Sequence, residues 1–466
     1  MFDTGIALLA VWHIAVREIL LLTAVGLAVS GIDDFFIDMV FFARTLWRRA
    51  AVYTRHHRAS AESLRQPDPA PIAIIVPAWD ESAVIGAMLS DLVRRMDYPR
   101  YRVFVGVYPN DPAGILAIAG VGNHRIQMAL CRRPGPTTKA DCLNHLWHAV
   151  LAHEIHVGER FKAIVLHDAE DVVHPQELWV FDALIPRLAM VQLPVFPLPD
   201  KTSRWIGGHY LDEFAESHTK DIVVREALGA AVPSAGVACA IDRDYLAKIA
   251  AGADGSPFDA DCLTEDYELG LRIKALGGRG ALVRLRSGDE RVVVATREHF
   301  PNSFDAALRQ KTRWLTGIAL SGWDRLGWPG GLADRYMLLR DRKALVAALL
   351  SVIAYFAALL MLFDAGLRAH LPAAAALPPL TTRGLAALLW INAALLAWRL
   401  LMRACFTAHA HGPVEGLRAI PRAIASNLIN AAAALAACRR YRAITRGHAK
   451  ASWDKTAHRF PDQGSA

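Results

Sequence analysis

KAIVLHDAED, residues 162–171, joins a short apolar run directly to a group of carboxylates. The run KAIVLH (162–167) predicts a buried strand, and HDAED (167–171) places three acids within four positions. In an open α/β sheet, the residues that follow the carboxyl ends of the strands line the ligand-binding crevice. This stretch therefore predicts both a strand of a central sheet and a candidate binding site at its end.

The preceding part of the chain alternates apolar runs with amphipathic segments. The runs that predict further strands are IAIIV (72–76), VFVGV (103–107) and RIQMAL (125–130). The segments that predict helices are SAVIGAMLSDLVRRM (82–96) and TKADCLNHLWHAVLAHE (138–154). This alternation predicts a parallel sheet covered by helices on both faces.

Acidic residues follow three of the four predicted strands. They are Asp80, Glu81, Asp111, Asp168, Glu170 and Asp171. Because strand ends meet at one edge of a parallel sheet, we expect these side chains to converge, and without a cation they would raise one another's pKa. Carboxylates suit a hard divalent ion, Mg²⁺ or Mn²⁺, that also holds a diphosphate. The alternative is that these acids only cap the turns that follow the strands.

Two common nucleotide-binding motifs are absent from the sequence. Neither G-x-x-x-x-G-K-[ST] nor a G-x-G-x-x-G after the first strand occurs, which argues against a P-loop ATPase and a dinucleotide-dependent oxidoreductase. A nucleotide would instead be held by a metal ion, Lys139 and the strand-end residues. The six cysteines include no C-x-x-C pair, so we expect reduced thiols in a cytoplasmic domain.

LTEDYELGLRI, residues 263–273, predicts a helix with two acids in its first turn. Thr264 would cap the helix with its hydroxyl, and Gly277-Gly278 would end it. Glu265 and Asp266 have two interpretations at this point. They complement the helix dipole, or they carry chemistry beside the strand-end acids.

RQKTRW, residues 309–314, lies between this helix and the hydrophobic C-terminal part of the chain. Gln310 and Arg313 are three positions apart, so they share one face of a helix, with Trp314 beside them. A guanidinium clamps phosphate oxygens, and an indole offers its face to a sugar ring. The alternative is that the Arg and Trp side chains anchor the helix at a membrane interface.

The hydrophobic fraction of 53% is high for a soluble enzyme, and the excess lies in a few segments. Residues 344–363 are uncharged and mostly apolar over a length that crosses a bilayer, and residues 384–398 begin a second candidate. Near the N-terminus, residues 19–31 are apolar but too few to cross a bilayer. A span there would therefore begin earlier and include Arg17 and Glu18. With no basic residue before Arg17 and no A-x-A cleavage site, we expect a retained anchor.

The basic residues predict how the chain is oriented in a membrane. Arginines crowd residues 44–58, whereas the loop at 364–383 has few, so the positive-inside rule places residues 44–343 in the cytoplasm. Residues 420–438 have arginines on both flanks, which predicts an interfacial or re-entrant helix. Anionic lipid headgroups account for the net charge of +7, and no nucleic-acid partner is expected.

Six motifs occur along the chain in a fixed order. They are VPAWDE (76–81), NDP (110–112), KADCLN (139–144), DAED (168–171), TED (264–266) and QKTRW (310–314). In this order they resemble the membrane-bound family 2 glycosyltransferases, relatives of cellulose and hyaluronan synthases. VPSAGV (232–237), LRDRK (339–343) and WDKTAHRFP (453–461) make the chain more similar still to the NfrB-like phage adsorption glycosyltransferases of the inner membrane. Any single motif is weak, but six in order are a strong signal.

The resemblance implies an α/β GT-A fold, a Rossmann-like mixed sheet with helices on both faces, in a cytoplasmic domain joined to transmembrane and interfacial helices. It implies that Asp266 is the catalytic base, with Glu265 beside it. The substrate-binding positions that it implies are Pro77, Glu81, Asp111, Lys139, Asp141, Asn144, Gln310, Arg313 and Trp314. The metal ligands that it implies, for Mg²⁺ or Mn²⁺, are Asp168, Glu170 and Asp171.

The resemblance and the hydropathy pattern together divide the chain into five segments. Residues 1–45 are expected to form a membrane anchor and interfacial helix, 46–300 the GT-A domain, 301–343 interfacial helices with the Q-x-x-R-W motif, 344–405 two transmembrane helices, and 406–466 an interfacial or re-entrant helix with a basic cytoplasmic tail. Two motifs depart from the family pattern, since Asn110-Asp111 replaces a pair of acids and D-x-E-D replaces D-x-D. The extra C-terminal domain of NfrB-like relatives, which senses cyclic di-GMP, is not expected in this chain.

The function implied by the resemblance is inverting transfer of an N-acetylhexosamine from a UDP-sugar to a growing glycan for cell-surface or exopolysaccharide synthesis. The expected partners are the donor, a glycan or lipid-linked acceptor and the bilayer, with an outer-membrane export protein as a further candidate. The expected location is the inner (plasma) membrane, multi-pass, with the catalytic domain in the cytoplasm. Two alternatives stay open: a non-catalytic, decayed transferase that acts in surface assembly or phage entry, and a metal-dependent phosphotransferase.

Overall fold

A computed structural model of the chain describes residues 2–288, 292–448 and 459–461. Most of the WDKTAHRFP motif therefore lies outside the described residues. The strands are β1 (Ile72–Pro77), β2 (Tyr101–Val107), β3 (Ile126–Leu130), β4 (Ala163–Leu166), β5 (Met190–Gln192), β6 (Val195–Pro197), β7 (Cys239–Asp242), β8 (Gly280–Leu282) and β9 (Thr296–Glu298). The helices that surround the sheets are α2 (Ile85–Arg95), α3 (Pro112–Ala119), α4 (Lys139–Val157), α5 (Glu177–Leu184), α6 (Ile206–Glu216), α7 (Ile222–Ala227), α8 (Arg243–Ala251), α9 (Glu265–Ala275), α10 (Phe304–Leu315) and α11 (Gly322–Leu326).

The main sheet has seven strands in the order β3-β2-β1-β4-β7-β5-β8, and β6 pairs with β9 beside it. The four strands predicted from the sequence are mutually parallel, and the register sets Ile74 opposite both Val103 and Val165. Strand β7 runs antiparallel to β4 and to β5. The fully parallel sheet expected from the alternation is therefore wrong beyond β4, whereas the mixed GT-A sheet with helices on both faces is confirmed.

Strand β1 is buried on both faces of the sheet, and every one of its residues is apolar. Ile72, Ile74 and Val76 point to the layer that contains α2, where they pack with Met88 and Leu89. The alternate residues of β1 point to the layer of α4 and pack with Leu143, Leu146 and Trp147. Burying each large apolar side chain stabilises the fold by about 1.5–3 kcal/mol. This two-sided core fixes the strand ends, and therefore the crevice, in place.

Four helices in the described part of the chain are long and apolar enough to cross a membrane, by length and composition. They are α1 (Phe2–Trp47), α12 (Leu332–His370), α14 (Arg383–His411) and α15 (Pro413–Thr445), with the short α13 (Pro372–Ala375) between α12 and α14. Helix α12 runs continuously through the expected boundary at 343/344. The segment 420–438 lies within α15, which packs against α6 and α10, and its interfacial placement stays a prediction.

Buried ion pairs join the membrane helices to the sheet domain. Lys220 Nζ lies 2.6 Å from Asp38 Oδ1 of α1 and 2.8 Å from Glu216 Oε1 of α6. Arg422 of α15 lies 2.6 Å from Asp212 Oδ1, and both side chains are fully buried. A buried charge without its partner is costly, so these pairs fix how α1, α6 and α15 are placed relative to one another.

Candidate functional site

The ends of β1 and β2 meet through Asp111. Its Oδ2 accepts a hydrogen bond from the backbone N–H of Asp80 at 2.9 Å, and its Oδ1 accepts one from Gly114 N at 2.9 Å. Asp111 thereby caps α3 and holds Asp80 at φ +54°, a conformation that non-glycine residues rarely adopt. Asp80 and Asp111, which follow β1 and β2, therefore converge as expected. The contact of Asp111 with a nucleotide stays a prediction.

Asn110 holds the loop that faces these strand ends. Its side-chain amide donates to Gly135 O and its carbonyl accepts from Gly135 N, both at 2.8 Å. Trp79 packs over the same glycine, since a Cβ there would lie 2.6 Å from the indole ring. An aspartate at position 110 could accept from Gly135 N but could not donate to Gly135 O. The departure from a pair of acids therefore has a structural role.

Lys139 links helix α4 to the end of β4. Its Nζ lies 2.5 Å from Asp168 Oδ1, and both side chains are partly buried. Burial disfavours the ammonium, but Asp168, Glu265 and Asp266 outweigh it and raise the pKa of Lys139. Lys139 therefore lies within electrostatic reach of acids from two separate motifs, DAED and TED.

Helix α9 begins at the two acids of TED. Glu265 is buried, and burial followed by repulsion from Asp266 raises its pKa to about 7. Burial also raises the pKa of Asp266, against the opposing effects of Lys139 and Arg313. Carboxylates with raised pKa values are suited to proton transfer near neutral pH.

Thr264 and Gly236 flank the acidic pair. Thr264 is the N-cap residue, but its hydroxyl makes no cap hydrogen bond, and Thr264 Oγ1 is buried without a partner among the described residues. The expected hydroxyl cap is therefore wrong, because Thr264 packs closely against Gly317 instead of turning to the helix. Gly236 has φ +79°, and a Cβ there would lie 2.5 Å from Asp266 Oδ2. The VPSAGV motif thus leaves room for the Asp266 carboxylate.

Helix α10 carries the Q-x-x-R-W motif and begins at Ser303, whose hydroxyl caps Ala306 N. Gln310 Oε1 and Arg313 Nε are buried and have no hydrogen-bond partner among the described residues. Arg313 opposes the rise that burial causes in the pKa values of Glu265 and Asp266. This electrostatic effect indicates that Arg313 lies close to the acidic pair. Buried polar atoms without partners in a crevice indicate a place for a polar ligand.

Trp314 belongs to an aromatic cluster with α6. Its ring centroid lies 6.2 Å from that of Tyr210 and 6.3 Å from that of Phe214, and Lys311 Nζ lies 5.0 Å from the indole centroid. Tyr210 Oη is also buried without a partner in the described part of the chain. The motif therefore packs against the sheet domain at the crevice.

The DAED carboxylates have different surroundings. Asp171 Oδ2 lies 2.6 Å from His167 Nδ1 and accepts a hydrogen bond from Asp168 N, while His167 Nε2 lies 2.8 Å from Glu177. Burial opposes the charged imidazole, but Glu177 and Asp171 raise the pKa of His167 to about 10. Asp171 is therefore held by an internal histidine. Asp168 is therefore the most exposed carboxylate of the motif, whereas Glu170 is buried.

Glu298, at the end of β9, was not among the residues singled out in the sequence. Burial, followed by Asp171, Glu170 and Asp168, raises the pKa of Glu298 well above its ordinary value. The signal was present, because VVVAT (292–296) is another apolar run followed by an acid. The run does not by itself predict β9, because β9 contains only Thr296–Glu298 and pairs with β6 outside the main sheet.

The acids fit a hard divalent cation in donor type, since all of them are carboxylates. Among residues 2–288, 292–448 and 459–461, however, no three His, Cys, Asp or Glu side chains form a group that could hold a metal ion. Lys139 instead neutralises Asp168. The metal site implied by the resemblance stays a prediction.

The remaining predicted positions have mainly structural contacts. Asn144 exchanges two hydrogen bonds with the backbone of Phe258, at 2.7 and 2.9 Å, which ties α4 to the loop before α9. Asp141 accepts a hydrogen bond from Arg133 at 2.6 Å. Pro77 ends β1 and Glu81 is buried just beyond it. Their roles in substrate binding stay predictions.

Comparison with known proteins gives consistent sequence matches. Residues 69–317 match the family described as "Glycosyltransferase like family 2". The chain is 36% identical over 472 aligned positions to "Bacteriophage adsorption protein B" of Escherichia coli (strain K12), and equally to "Bacteriophage N4 adsorption protein B" of Escherichia coli O157:H7. Each alignment covers 97% of this chain and 63% of the relative, so the chain spans less than two thirds of their length.

Two solved structures illustrate the structural similarity. A mannosyltransferase from Pyrobaculum calidifontis, in complex with GDP-Man and Mn²⁺, is 16% identical with a TM-score of 0.49, and the match covers 89% of this chain and 99% of that one. Glucosyl-3-phosphoglycerate synthase from Mycobacterium tuberculosis, with Mn²⁺, UDP and phosphoglyceric acid, is 17% identical with a TM-score of 0.37, and the match covers 59% of this chain and 86% of that one.

Proposed function

Because the chain belongs to glycosyltransferase family 2, we propose that it transfers an N-acetylhexosamine from a UDP-sugar to a hydroxyl group of a growing glycan or lipid-linked acceptor. The product would serve cell-surface or exopolysaccharide synthesis. The observation that carries the proposal is the position of the acidic pair, with Glu265 buried and Asp266 partly buried, within electrostatic reach of Lys139 and Arg313. Acids and cations placed this way suit proton removal beside a departing diphosphate.

The proposed reaction is a single displacement with inversion. Asp266 takes the proton of the acceptor hydroxyl while that oxygen forms a bond to the anomeric carbon, and the bond from that carbon to the diphosphate oxygen breaks, which releases UDP. Lys139 and Arg313 stabilise the negative charge that develops on the diphosphate. Base catalysis of this kind contributes about 10²- to 10⁴-fold to the rate.

Asp168 and Glu170 would hold a divalent ion, Mg²⁺ or Mn²⁺, with Glu298 close by. When bound, such an ion neutralises charge on a diphosphate. EDTA should therefore abolish UDP release, and added Mg²⁺ or Mn²⁺ should restore it. Full activity in EDTA would show that Lys139 and Arg313 suffice without a metal ion.

The proposed location is the inner membrane, with the sheet domain in the cytoplasm. The four long apolar helices and the arginines after α1 support this placement. The similarity to phage adsorption proteins supports a second candidate, in which the chain is a non-catalytic membrane component of surface assembly or phage entry.

One assay separates these candidates. Membranes that contain the full chain are incubated with a panel of UDP-sugars, and UDP release is measured for the native protein and for Asp266→Asn. Release from one donor that Asp266→Asn abolishes supports transfer. No release from any UDP-sugar of the panel would favour the non-catalytic candidate.

A further inference from the structure

A cavity of about 260 Å³ lies between the β6–β9 pair and the C-terminal end of α14. Arg284, Arg297, His409 and His411 supply its cationic and polar lining. The apolar part of its wall is formed by Phe196, Pro197, Leu198, Pro199, Val292 and Val293. The cavity therefore combines basic groups with an apolar wall.

The cavity is separate from the crevice with the acids, and β9 lies between the two. Successive side chains of a strand point to opposite faces. Glu298 is near the DAED acids, whereas the preceding Arg297 lines the cavity. The backbone of Arg297 pairs with Val172, the residue directly after DAED, so the two sites share this strand.

The guanidinium groups that line the cavity lack acidic partners in the described part of the chain. Arg284 Nη1 donates to the backbone oxygen of Thr219 at 3.3 Å, and no described carboxylate forms an ion pair with Arg284 or Arg297. Desolvation of the guanidinium, followed by repulsion from Arg286 and Arg44, lowers the pKa of Arg284. Burial and Arg95 do the same for Arg297. Binding of an anion would reduce the electrostatic repulsion between these arginines.

His411 adds a directed polar group. Its ring packs edge-on against Phe196, with centroids 6.3 Å apart. Its Nε2 is buried and has no hydrogen-bond partner among the described residues. A neutral imidazole with a free ring nitrogen at the wall of a cavity can donate a hydrogen bond to a ligand oxygen.

The position of α14 indicates where the ligand comes from. Helix α14 is a candidate membrane span, and its last turn forms one wall of the cavity. Basic pockets beside spanning helices at the membrane surface bind anionic lipid headgroups, and guanidiniums bind phosphate oxygens in a bidentate manner. An apolar wall next to the cations suits a lipid better than free phosphate.

We propose that this cavity binds the phosphodiester of an anionic membrane lipid, with Arg284 and Arg297 on the phosphate oxygens and His411 donating to one of them. The lipid's glycerol and upper acyl carbons would lie against Phe196 and Val293. This lipid-binding proposal does not depend on the proposed transfer reaction.

The test uses the full chain purified in a neutral detergent. Native mass spectrometry measures the retention of phosphatidylglycerol and of phosphatidylcholine, which carries no net charge. We expect preferential retention of phosphatidylglycerol, and about a fivefold loss of affinity for each guanidinium removed in Arg284→Gln and Arg297→Gln. Arg187→Gln is the matched control, because it removes the same charge from an exposed arginine of the same domain that is outside the lining and donates to Ala183 O. It should change affinity by less than twofold.

A second variant keeps the charge, so that a folding defect is not mistaken for lost binding. Arg284→Lys/Arg297→Lys should fold like the native chain, as judged by thermal unfolding, yet bind phosphatidylglycerol more weakly because lysine lacks the bidentate fork. Equal losses for Arg187→Gln and Arg284→Gln would overturn the site in favour of diffuse surface charge. Displacement of the lipid by inorganic phosphate at equal concentration would overturn the lipid as the source of the phosphate.

Discussion

Asp266 is the residue on which the proposed chemistry depends. Its isosteric amide cannot accept a proton, so Asp266→Asn should lower turnover by about 10²-fold or more and change donor affinity little. The measurement is kcat and KM for UDP release with the donor found in the panel. Glu265→Gln removes the same charge from the same helical turn and should be milder.

Equal and small losses in both variants would support the helix-dipole interpretation instead. A first-turn charge of that kind contributes about 0.3–1 kcal/mol of stability and nothing to turnover. The comparison thus separates catalysis from helix stabilisation within one turn of α9.

Gly236 provides a second prediction at the residue scale. A Cβ at this position, φ +79°, would lie 2.5 Å from Asp266 Oδ2 and would displace the carboxylate. Gly236→Ala should therefore cost about 1–2 kcal/mol of stability and also lower kcat. Thermal unfolding and UDP release measure the two effects.

Gly229→Ala is the matched control for backbone strain. Gly229 has φ +78°, and nothing lies within 4 Å of a Cβ there. This variant should lose similar stability and keep its turnover. If both variants retain native turnover, Gly236 does not position Asp266.

At the scale of elements, buried ion pairs hold α1 and α6 together. Lys220 lies between Asp38 and Glu216, and all three side chains are at most 3% exposed. Lys220→Met leaves the buried Asp38 without a cation, while Glu216 keeps its pair with Arg399, and the change should cost about 3–5 kcal/mol. The free energy of unfolding of the detergent-solubilised chain measures this loss.

Lys201→Met is the control, because Lys201 is exposed on a loop. Its stability should change by less than about 0.5 kcal/mol. A similarly small loss for Lys220→Met would mean that apolar packing alone joins α1 to the sheet domain.

At the scale of the whole molecule, the arginine distribution predicts the orientation in the membrane. A single cysteine in the loop at 364–383, in a background without the native cysteines, should react with an impermeant thiol reagent in intact cells. A cysteine at Arg160, which is on the sheet domain, should react only after the membrane is opened. The reverse labelling pattern would place the sheet domain outside the cytoplasm.

The sequence by itself determined the first four strands, helices α2 and α4, and the order of the motifs. β1, β2 and β4 are visible because each contains a local apolar run of four residues or more, and parallel strands buried on both faces need such runs. The edge strand β3 has a weaker signal because Gln127 interrupts its apolar residues. Glu265, Asp266, Gln310 and Arg313 were found because helix spacing and motif order are local properties. The family resemblance supplied their proposed roles.

Only the tertiary structure decided the antiparallel strand β7 and the short strands β5, β8 and β9. CAID (239–242) and TRE (296–298) have no distinctive periodicity, and their neighbours in the sheets make them strands. The tertiary structure also decided which charges meet: Lys139 with Asp168, His167 with Asp171, and Glu298 with the DAED group. Burial and long-range approach set these pairings, because the energy of a charge depends on the atoms folded around it as well as on its neighbours along the chain.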